Sequence, residues 1–259
     1  MPELRSQARK RGRVKGEKTV KLETFDKKGV RMVAHRGLSG VETENTVAAF
    51  VAAANRSYYG IETDVHRTID GKYVCIHDDN TLRVSGVDCK VTAHTYEEVL
   101  SVRLFDTEKG TGVRNDLRVP TLADYVSICH RYGKHSVLEL KDEFVAKEIE
   151  EIIEIVKNAG QLENTTFISF IPSDLIALRK ILPSQTAMLL SDTLDEQTKD
   201  LLLTYNLDLD ILFTALDENG IKWLKSHGKA VNCWTVDKVS DAEKLSELGV
   251  DFITTNILE

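Results

Sequence analysis

The chain has 259 residues, a net charge of −7 at pH 7 and an ordinary globular composition, with 42% hydrophobic and 29% charged residues. A chain of this length buries a sizeable core without disulfides, and its acidic balance argues against general nucleic-acid binding. It contains no apolar run of about 18 residues that would predict a membrane span, and no apolar segment near its start that would predict a secretory signal. We therefore expect a cytoplasmic protein.

The first 28 residues differ in character from the rest of the chain. Residues 1–28 are strongly basic and poor in apolar side chains, which is typical of a solvated arm. Contact with an anionic surface or a nucleic acid is the other interpretation of this charge. Residues 29–259 are predicted to form one domain. Its cysteines contain no Cys-x-x-Cys pair and are predicted to be free thiols in a reducing compartment, buried where they fall in strand patterns.

Strand and helix patterns begin at Val30. VRMVAH is a predicted strand, and TENTVAAFVAAANRSY is a predicted helix for which Thr43 is the candidate N-cap. GIETDVHRT and KYVCIHD are predicted strands joined by the Asp70–Gly71 turn. Residues 80–118 are predicted to be rich in loops, with a short helix at TYEEVLSVRL.

The alternation becomes regular after Pro120. A helix, TLADYVSICHRYG, is predicted to end at Gly133. The later strands alternate with helices and are HSVLEL, TTFISF, TAMLLS, LDILFT, KAVNCWTV and VDFITT. The first strand and the hairpin count as one β unit each and, with these six strands, give eight β units. Because helices connect successive units as crossovers, the strands are predicted to be parallel.

These counts place the chain in the α/β class. The prediction is a (β/α)8 TIM barrel, a single domain with a small insertion at about residues 80–118, after the second strand unit. An open doubly wound sheet is the alternative. Against it, no Gly-x-Gly-x-x-Gly loop follows the first strand.

Carboxylates stand where strand ends are predicted. Glu62 and Asp64 are two residues apart on one strand, so they share a face and lie roughly 6–7 Å apart along it. Glu139 ends a later strand, and the ends of barrel strands meet at the catalytic face. Three carboxylates this close repel unless a cation neutralises them, and oxygen ligands suit Mg²⁺ or Ca²⁺. The alternative is that one or two of them form salt bridges at the rim.

Two histidines occupy similar positions. His35 and His77 each follow a predicted strand beside further charged groups, and an imidazole gives or takes a proton near neutral pH. We therefore predict that they act as acid and base. Of the other histidines, His66 alone is on a face that matches the site, and the rest are expected to have surface or packing roles.

Cations and aromatic residues complete the predicted site. Arg36 and Lys141 beside a metal would make an anion site, and phosphate is the anion that suits it best. Phe170 and Trp234 are predicted to line an apolar or glycerol-binding side of the pocket. Ordinary core packing is the alternative for both aromatic residues.

Taken together, these segments resemble the glycerophosphodiester phosphodiesterase family. The resemblance spans residues 32–256, and its order, spacing and residue types agree over that length. The segments that carry it are AHRG, ENTVAAF, ETDVHRTIDGKYVCIHDDNTLRVSG, LELK and VNCWTV followed by LGVDFITTN.

The resemblance implies a barrel that hydrolyses glycerophosphodiesters to sn-glycerol 3-phosphate and an alcohol. It implies one divalent metal on the three carboxylates, acid–base work by the two histidines, and phosphate contacts from Arg36 and Lys141. In such enzymes the glycerol 2-hydroxyl attacks phosphorus, and water opens the resulting cyclic phosphate. The implied partner is a small glycerophosphodiester, no nucleic-acid partner is expected, and no pattern predicts an oligomeric state.

The sequence departs from the family pattern at two places. Thr43 stands where the family often has Pro before the Glu-Asn-Thr segment, and Thr255–Asn256 replace the usual Asp of the last strand motif. Neither departure is expected to touch the proposed metal or acid–base residues, so both are expected to affect loop shape. Residues 80–118 are expected to shape substrate access.

Two other functions fit parts of these patterns. A lysophospholipase D or phospholipase-type enzyme on the same barrel would be favoured by an exposed apolar rim, although no amphipathic membrane helix is predicted there. A barrel that binds a phosphorylated ligand without catalysis, or anionic polymers through its arm, is the non-enzymatic alternative.

Overall fold

The structure is a computed structural model that describes residues 22–106 and 112–259. Most of the predicted basic arm, residues 1–21, lies outside the described residues, and so do residues 107–111 of the insertion. The division into an arm and a domain that begins at residue 29 therefore stays a prediction. None of the helices in the described ranges has the length and apolar composition needed to cross a membrane.

The strands and helices follow the predicted alternation. The strands are β1 (Arg31–Ala34), β2 (Gly60–Arg67), β3 (Tyr73–Cys75), β4 (Arg103–Phe105), β5 (Val113–Arg118), β6 (His135–Leu140), β7 (Thr165–Ser169), β8 (Ala187–Ser191), β9 (Asp208–Leu212), β10 (Val231–Trp234) and β11 (Phe252–Thr255). The α-helices are α1 (Val47–Ala54), α2 (Leu82–Ser85), α3 (Tyr96–Ser101), α4 (Leu122–Tyr132), α5 (Ala146–Asn158), α6 (Pro172–Ile181), α7 (Glu196–Thr204), α8 (Glu218–Ser226) and α9 (Val239–Leu248).

Eight of these strands close into a barrel. The order is β1-β2-β6-β7-β8-β9-β10-β11, and β11 pairs with β1 in parallel, as β1 does with β2. β3 runs antiparallel beside β2 and forms the predicted hairpin. The TIM barrel and the α/β class are confirmed, and the open sheet is wrong, because the first and last strands pair with each other.

Side chains alternate between the inside and the outside of this barrel. Ile61 and Val65 belong to the large core between strands and helices, which leaves Glu62 and Asp64 on the inner face. Burying each such aliphatic side chain contributes about 1.5–3 kcal/mol, so the outer residues hold β2 in this orientation. The apolar interior consists of Val33, Val137, Ile168, Met188 and Leu190.

The predicted helix ends are right for α4 but not for α1 or α3, since the predicted helix TYEEVLSVRL runs to Leu104 and α3 ends at Ser101. The predicted N-cap, Thr43, is wrong: Thr46 caps α1 and accepts a hydrogen bond from Ala49 N at 3.2 Å. Thr43 instead donates to Phe105 O at 2.7 Å, because the segment before α1 is bound to the insertion. As predicted, α4 ends at Gly133, which adopts a left-handed conformation.

The insertion between β3 and α4 has a small core of its own. It contains α2, α3 and the antiparallel pair β4–β5, packed around residues such as Val91, Val99, Leu104 and Leu117. The sequence predicts α3 but not the β4–β5 hairpin. The strand signal there is weak because β4 has three residues and β5, VRNDLR, is mostly charged or polar. All four cysteines of the chain are free and buried.

Candidate active site

Three carboxylates meet inside the barrel where its strands end. Asp64 of β2 lies directly opposite Glu139 of β6 in the parallel register, and Glu62 shares the inner face of β2. Each side chain offers an oxygen that lies within 4.8 Å of the other two. The exposed fractions are 3% for Glu62, 1% for Asp64 and 8% for Glu139, so water screens their repulsion poorly.

The pKa values of the three buried carboxyl groups are shifted in opposite directions. Burial, followed by repulsion from Asp64 and Glu139, raises the pKa of Glu62 well above its usual value. Burial and the charge of Asp64 raise the pKa of Glu139 to about 8. Burial opposes the charge of Asp64 as well, but Arg36 and Lys141 hold its pKa below the usual value. Without a metal, the negative charge is therefore favoured on Asp64 over Glu62 and Glu139.

Glu62 and Asp64 each have one carboxylate oxygen that accepts a hydrogen bond and one that accepts none from the described residues. Glu62 Oε2 accepts from Arg36 N at 2.7 Å, and Asp64 Oδ2 accepts from Asn45 Nδ2 at 2.7 Å. Glu62 Oε1 and Asp64 Oδ1 are buried and have no hydrogen-bond partner in the described part of the chain. Buried oxygens without partners are costly, and this donor set of carboxylate oxygens fits a hard divalent cation.

Lys141 and Arg36 bring positive charge to the trio from two sides. Lys141 Nζ lies 2.9 Å from Glu139 Oε1 and 3.6 Å from Asp64 Oδ1. Arg36 Nε lies 3.4 Å from Asp64 Oδ2, and its Nη1 donates to Glu44 Oε1 at 3.0 Å. Both predicted phosphate-binding residues thus flank the acidic cluster.

A tight turn after β1 presents Arg36 to Glu62. Arg36 and Gly37 both adopt positive φ angles, 54° and 79°, and the turn aims the Arg36 amide at the carboxylate. A Cβ on Gly37 would lie 2.6 Å from the backbone carbon of Ala49, so glycine is required for both conformation and space.

Gly37→Ala is therefore expected to destabilise the fold more than the matched change Gly133→Ala. Gly133 has a similar φ of 63°, but a Cβ there meets nothing within 4 Å in the described chain. The control should cost about 1–2 kcal/mol from conformation alone, and Gly37→Ala about 1–3 kcal/mol more from overpacking. Denaturant unfolding measures both free energies, and equal losses would contradict the turn's assigned role.

His35 is bound to a residue that the sequence did not connect with it. Its Nδ1 lies 2.8 Å from Asn256 Oδ1, so the expectation that Thr255–Asn256 do not touch the acid–base residues is wrong. The contact arises because barrel closure sets the end of β11 beside the end of β1. Burial and then Arg36 lower the pKa of His35 to about 4, so the ring is neutral near pH 7.

His77 is oriented by the insertion. Its Nδ1 lies 2.7 Å from Asp78 Oδ1, and Arg83 of α2 donates from Nε to Asp78 Oδ2 at 2.6 Å. Arg83 also donates from Nη2 to Glu44 Oε1 at 2.7 Å, and Glu44 in turn binds Arg36. Sequence reasoning assigned no role to Arg83 or Glu44, although both fall in segments that carry the family resemblance.

His66, on β2, supports the position of His77. Its Nδ1 lies 2.7 Å from Asp142 Oδ1, and its Nε2 lies 3.1 Å from His77 O. Burial opposes a charge on the ring, but Asp142 raises the pKa of His66 above its usual value. Since both partners are acceptors, the imidazolium form satisfies both bonds. His66 thus holds the backbone of His77.

The two aromatic residues lie together at the rim. Phe170 directly follows β7 and is 43% exposed, and Trp234 is the last residue of β10. Their rings form an edge-to-face pair with centroids 5.6 Å apart. Trp234 also packs against the apolar interior and donates from Nε1 to Asp210 O at 3.3 Å. Of these two aromatic residues, only Phe170 presents a large apolar surface to solvent.

The stability of the metal-free protein should fall as pH rises through the titration range of Glu139. A carboxyl group whose pKa is raised on folding, here from 4.5 to about 8, binds more protons in the native state than in the unfolded state. The free energy of unfolding therefore decreases with pH between those values. In chelator, Glu139→Gln should reduce the pH dependence of the free energy of unfolding, measured by denaturant titrations at several pH values. An unchanged pH dependence would contradict the raised pKa of Glu139.

Comparison with known proteins decides the family. The sequence model of the Glycerophosphoryl diester phosphodiesterase family matches residues 35–259. The chain belongs to this family. The predicted family and the predicted enzyme class, a glycerophosphodiester phosphodiesterase acting as a phosphoric diester hydrolase, are confirmed.

Other members of this family resemble the chain over most of its length. A glycerophosphodiester phosphodiesterase of Caldanaerobacter subterraneus subsp. tengcongensis is 30% identical, with 87% of this chain and 93% of the relative covered. One from Bacillus subtilis is 25% identical, covering 86% and 82%. The solved structure of an Oleispira antarctica phosphodiesterase in complex with the product sn-glycerol-3-phosphate has a TM-score of 0.81 and 25% identity, covering 88% and 93%.

Proposed function

We propose that this phosphodiesterase hydrolyses glycerophosphodiesters to sn-glycerol 3-phosphate and an alcohol, with one Mg²⁺ or Ca²⁺ ion held by Glu62, Asp64 and Glu139. The observation that carries the proposal is a pair of buried carboxylate oxygens, Glu62 Oε1 and Asp64 Oδ1, that accept no hydrogen bond from the described residues. When bound, the ion supplies charge neutralisation and polarises a phosphoryl oxygen. Names of relatives and the product complex of the Oleispira antarctica enzyme support the substrate class.

Arg36 and Lys141 would orient the phosphate in this proposal. Both are at most partly exposed and are paired with the same carboxylates that would hold the ion. A cation at the trio would take over part of that neutralisation, which frees N–H groups of the two side chains for phosphate oxygens. Charge that builds on those oxygens during the reaction is stabilised by groups already in position.

His35 and His77 would exchange protons with the substrate. Each ring is bound through Nδ1, to Asn256 and Asp78 respectively, which leaves Nε2 of each for proton transfer. One imidazole takes the proton of the glycerol 2-hydroxyl as that oxygen attacks phosphorus. The other gives a proton to the departing alcohol, and a cyclic phosphate forms. Water then opens the ring with the proton transfers reversed.

Phe170 and Trp234 would bind the carbon side of the glycerol unit. Their edge-to-face contact offers a small apolar surface at the rim, which suits a three-carbon unit. A lipid substrate would need a broader apolar surface than these two rings offer, and only Phe170 of the pair is well exposed. The lysophospholipase D alternative is therefore tested directly, with lipid and soluble substrates side by side.

A substrate panel tests this function. Wild-type protein with Mg²⁺ or Ca²⁺ should release sn-glycerol 3-phosphate from glycerophosphocholine, glycerophosphoethanolamine or glycerophosphoglycerol, measured by a coupled glycerol 3-phosphate assay. Under the same conditions, release from lysophosphatidylcholine vesicles should be slower. Faster turnover of the vesicles would establish the lipid alternative, and release from none of the soluble diesters would overturn the proposal.

A further inference from the structure

The neutral ring of His35 is connected to a second acid through an amide. Asn256 Oδ1 lies 2.8 Å from His35 Nδ1, and Asn256 Nδ2 donates to Asp237 Oδ2 at 2.7 Å. The proposed chemistry gives Asn256 no role beyond its contact with Nδ1 and gives Asp237 none. The three residues come from the ends of β1, β10 and β11, which are neighbours in the closed barrel.

Asp237 sets the direction of both hydrogen bonds that connect it, through Asn256, to His35. A carboxylate only accepts, so the amide of Asn256 must turn its NH₂ group toward Asp237 and its oxygen toward His35. Ser39 Oγ lies 2.7 Å from Asn256 Oδ1 and 2.8 Å from His35 O, and its one hydrogen can go to either oxygen, so Asp237 rather than Ser39 sets this orientation. An oxygen facing Nδ1 requires a proton on Nδ1, so Nε2 of the neutral ring keeps its lone pair.

Asp237 is itself held in place from one side. Its Oδ1 accepts from Asn256 N at 2.8 Å and from Thr255 Oγ1 at 3.1 Å. Thr255 Oγ1 accepts from the amides of Ile257 and Leu258 at 3.2 and 3.1 Å, so its own hydrogen is available for Asp237. Oδ1 thus faces two donors, and Oδ2 is the oxygen that faces the side chain of Asn256.

We propose that Asp237 and Asn256 are positioning residues that set the tautomer of His35, with the proton on Nδ1 and the basic lone pair on Nε2. The inference rests on the proposed role of His35 in proton transfer. A ring with the opposite tautomer would present an N–H group to the substrate and could not take the proton of the attacking hydroxyl.

Asp237→Asn tests the proposal without touching His35. The new amide at position 237 must keep its oxygen toward the two donors, so its NH₂ group faces Asn256. The Asn256 amide then turns over and presents its own NH₂ group to His35, which moves the ring proton to Nε2. Because positioned acid–base catalysis contributes about 10²–10⁴-fold, we expect kcat to fall by about 10²-fold or more, with little change in KM.

The double variant Asp237→Asn/Asn256→Asp should reverse both effects. It exchanges the acid and the amide, so a carboxylate oxygen again accepts from Nδ1 while the amide at position 237 donates to it. We expect kcat to return to within about tenfold of wild type. We do not expect full recovery, because the double variant places a carboxylate directly beside the ring of His35. Asp200→Asn, an exposed change on α7, is the matched control and should keep wild-type kcat.

The tautomer is read directly by NMR of protein labelled with ¹⁵N-histidine, with His35 assigned from the signals lost in His35→Gln. Nδ1 should be the protonated nitrogen in wild type and in the double variant, and Nε2 in Asp237→Asn. Retention of the Nδ1 proton in folded Asp237→Asn, or an inverted tautomer with unchanged kcat, would overturn the proposal. The NMR experiment tests the tautomer of His35, and the substrate panel tests the proposed function. If the proposed function is wrong, wild-type protein will be inactive in the substrate panel, whatever the NMR spectra show.

Discussion

Glu62→Gln is expected to lower phosphodiester hydrolysis by about 10³-fold or more, while the metal-free protein becomes more stable. The amide keeps the shape of the side chain and still accepts from Arg36 N, but it removes a metal ligand. Metal assistance contributes several kcal/mol to the transition state, and each 1.36 kcal/mol is about tenfold in rate. Stability rises because burial and repulsion from Asp64 and Glu139 no longer act on this group.

Two measurements separate these effects. Thermal unfolding in chelator should show a higher Tm for Glu62→Gln than for wild type, and added Mg²⁺ or Ca²⁺ should raise the Tm of wild type but not that of Glu62→Gln. Glu218→Gln, on the exposed face of α8, is the control and should behave as wild type in both assays. A Glu62→Gln protein that keeps its activity, or that responds to the ion as wild type does, would contradict the metal site.

His35→Gln is expected to reduce kcat by about 10²–10⁴-fold, with KM changed little, because it removes a proton-transfer group and keeps most of the side-chain volume. Steady-state kinetics with glycerophosphocholine measures this loss. If the cyclic phosphate is on the path, ³¹P NMR of the reaction should also show whether this variant stops before or after the cyclic species.

His135→Gln is a closely matched control for this change. His135 is also a partly buried histidine of the barrel, and burial lowers its pKa to about 4, as it does for His35. It lies at the start of β6, at the opposite end of the barrel, where Nε2 meets Thr166 Oγ1 at 2.9 Å. We expect its kcat to match wild type, and equal losses in the two variants would assign the effect to packing.

The fold and the acidic trio could be predicted because both depend on local patterns. Strand and helix periods are properties of short segments, and parallel strands with crossover helices leave few topologies. The spacing of Glu62 and Asp64 places them on one face of β2 whatever the rest of the chain does. Glu139 joins them because β6 is the next parallel strand in the barrel.

The supporting residues could not be predicted, because they meet only in the closed barrel. Asn256 and His35 are 221 positions apart and touch only since β11 pairs with β1. Arg83 reaches Asp78 and Glu44 from the insertion, whose packing depends on contacts that no local period encodes. Carboxylate and guanidinium side chains are mostly exposed in proteins, so no local pattern indicated that these three residues would pair.

The most direct test of the central claim is to follow metal content and turnover together. Protein stripped with chelator should release no sn-glycerol 3-phosphate from glycerophosphocholine. Titration with Mg²⁺ or Ca²⁺ should restore turnover in proportion to the ion bound and reach saturation at one ion per chain, as expected if the ion binds at the trio of Glu62, Asp64 and Glu139. Full turnover by protein shown to be free of divalent metal would contradict the assignment of Glu62, Asp64 and Glu139.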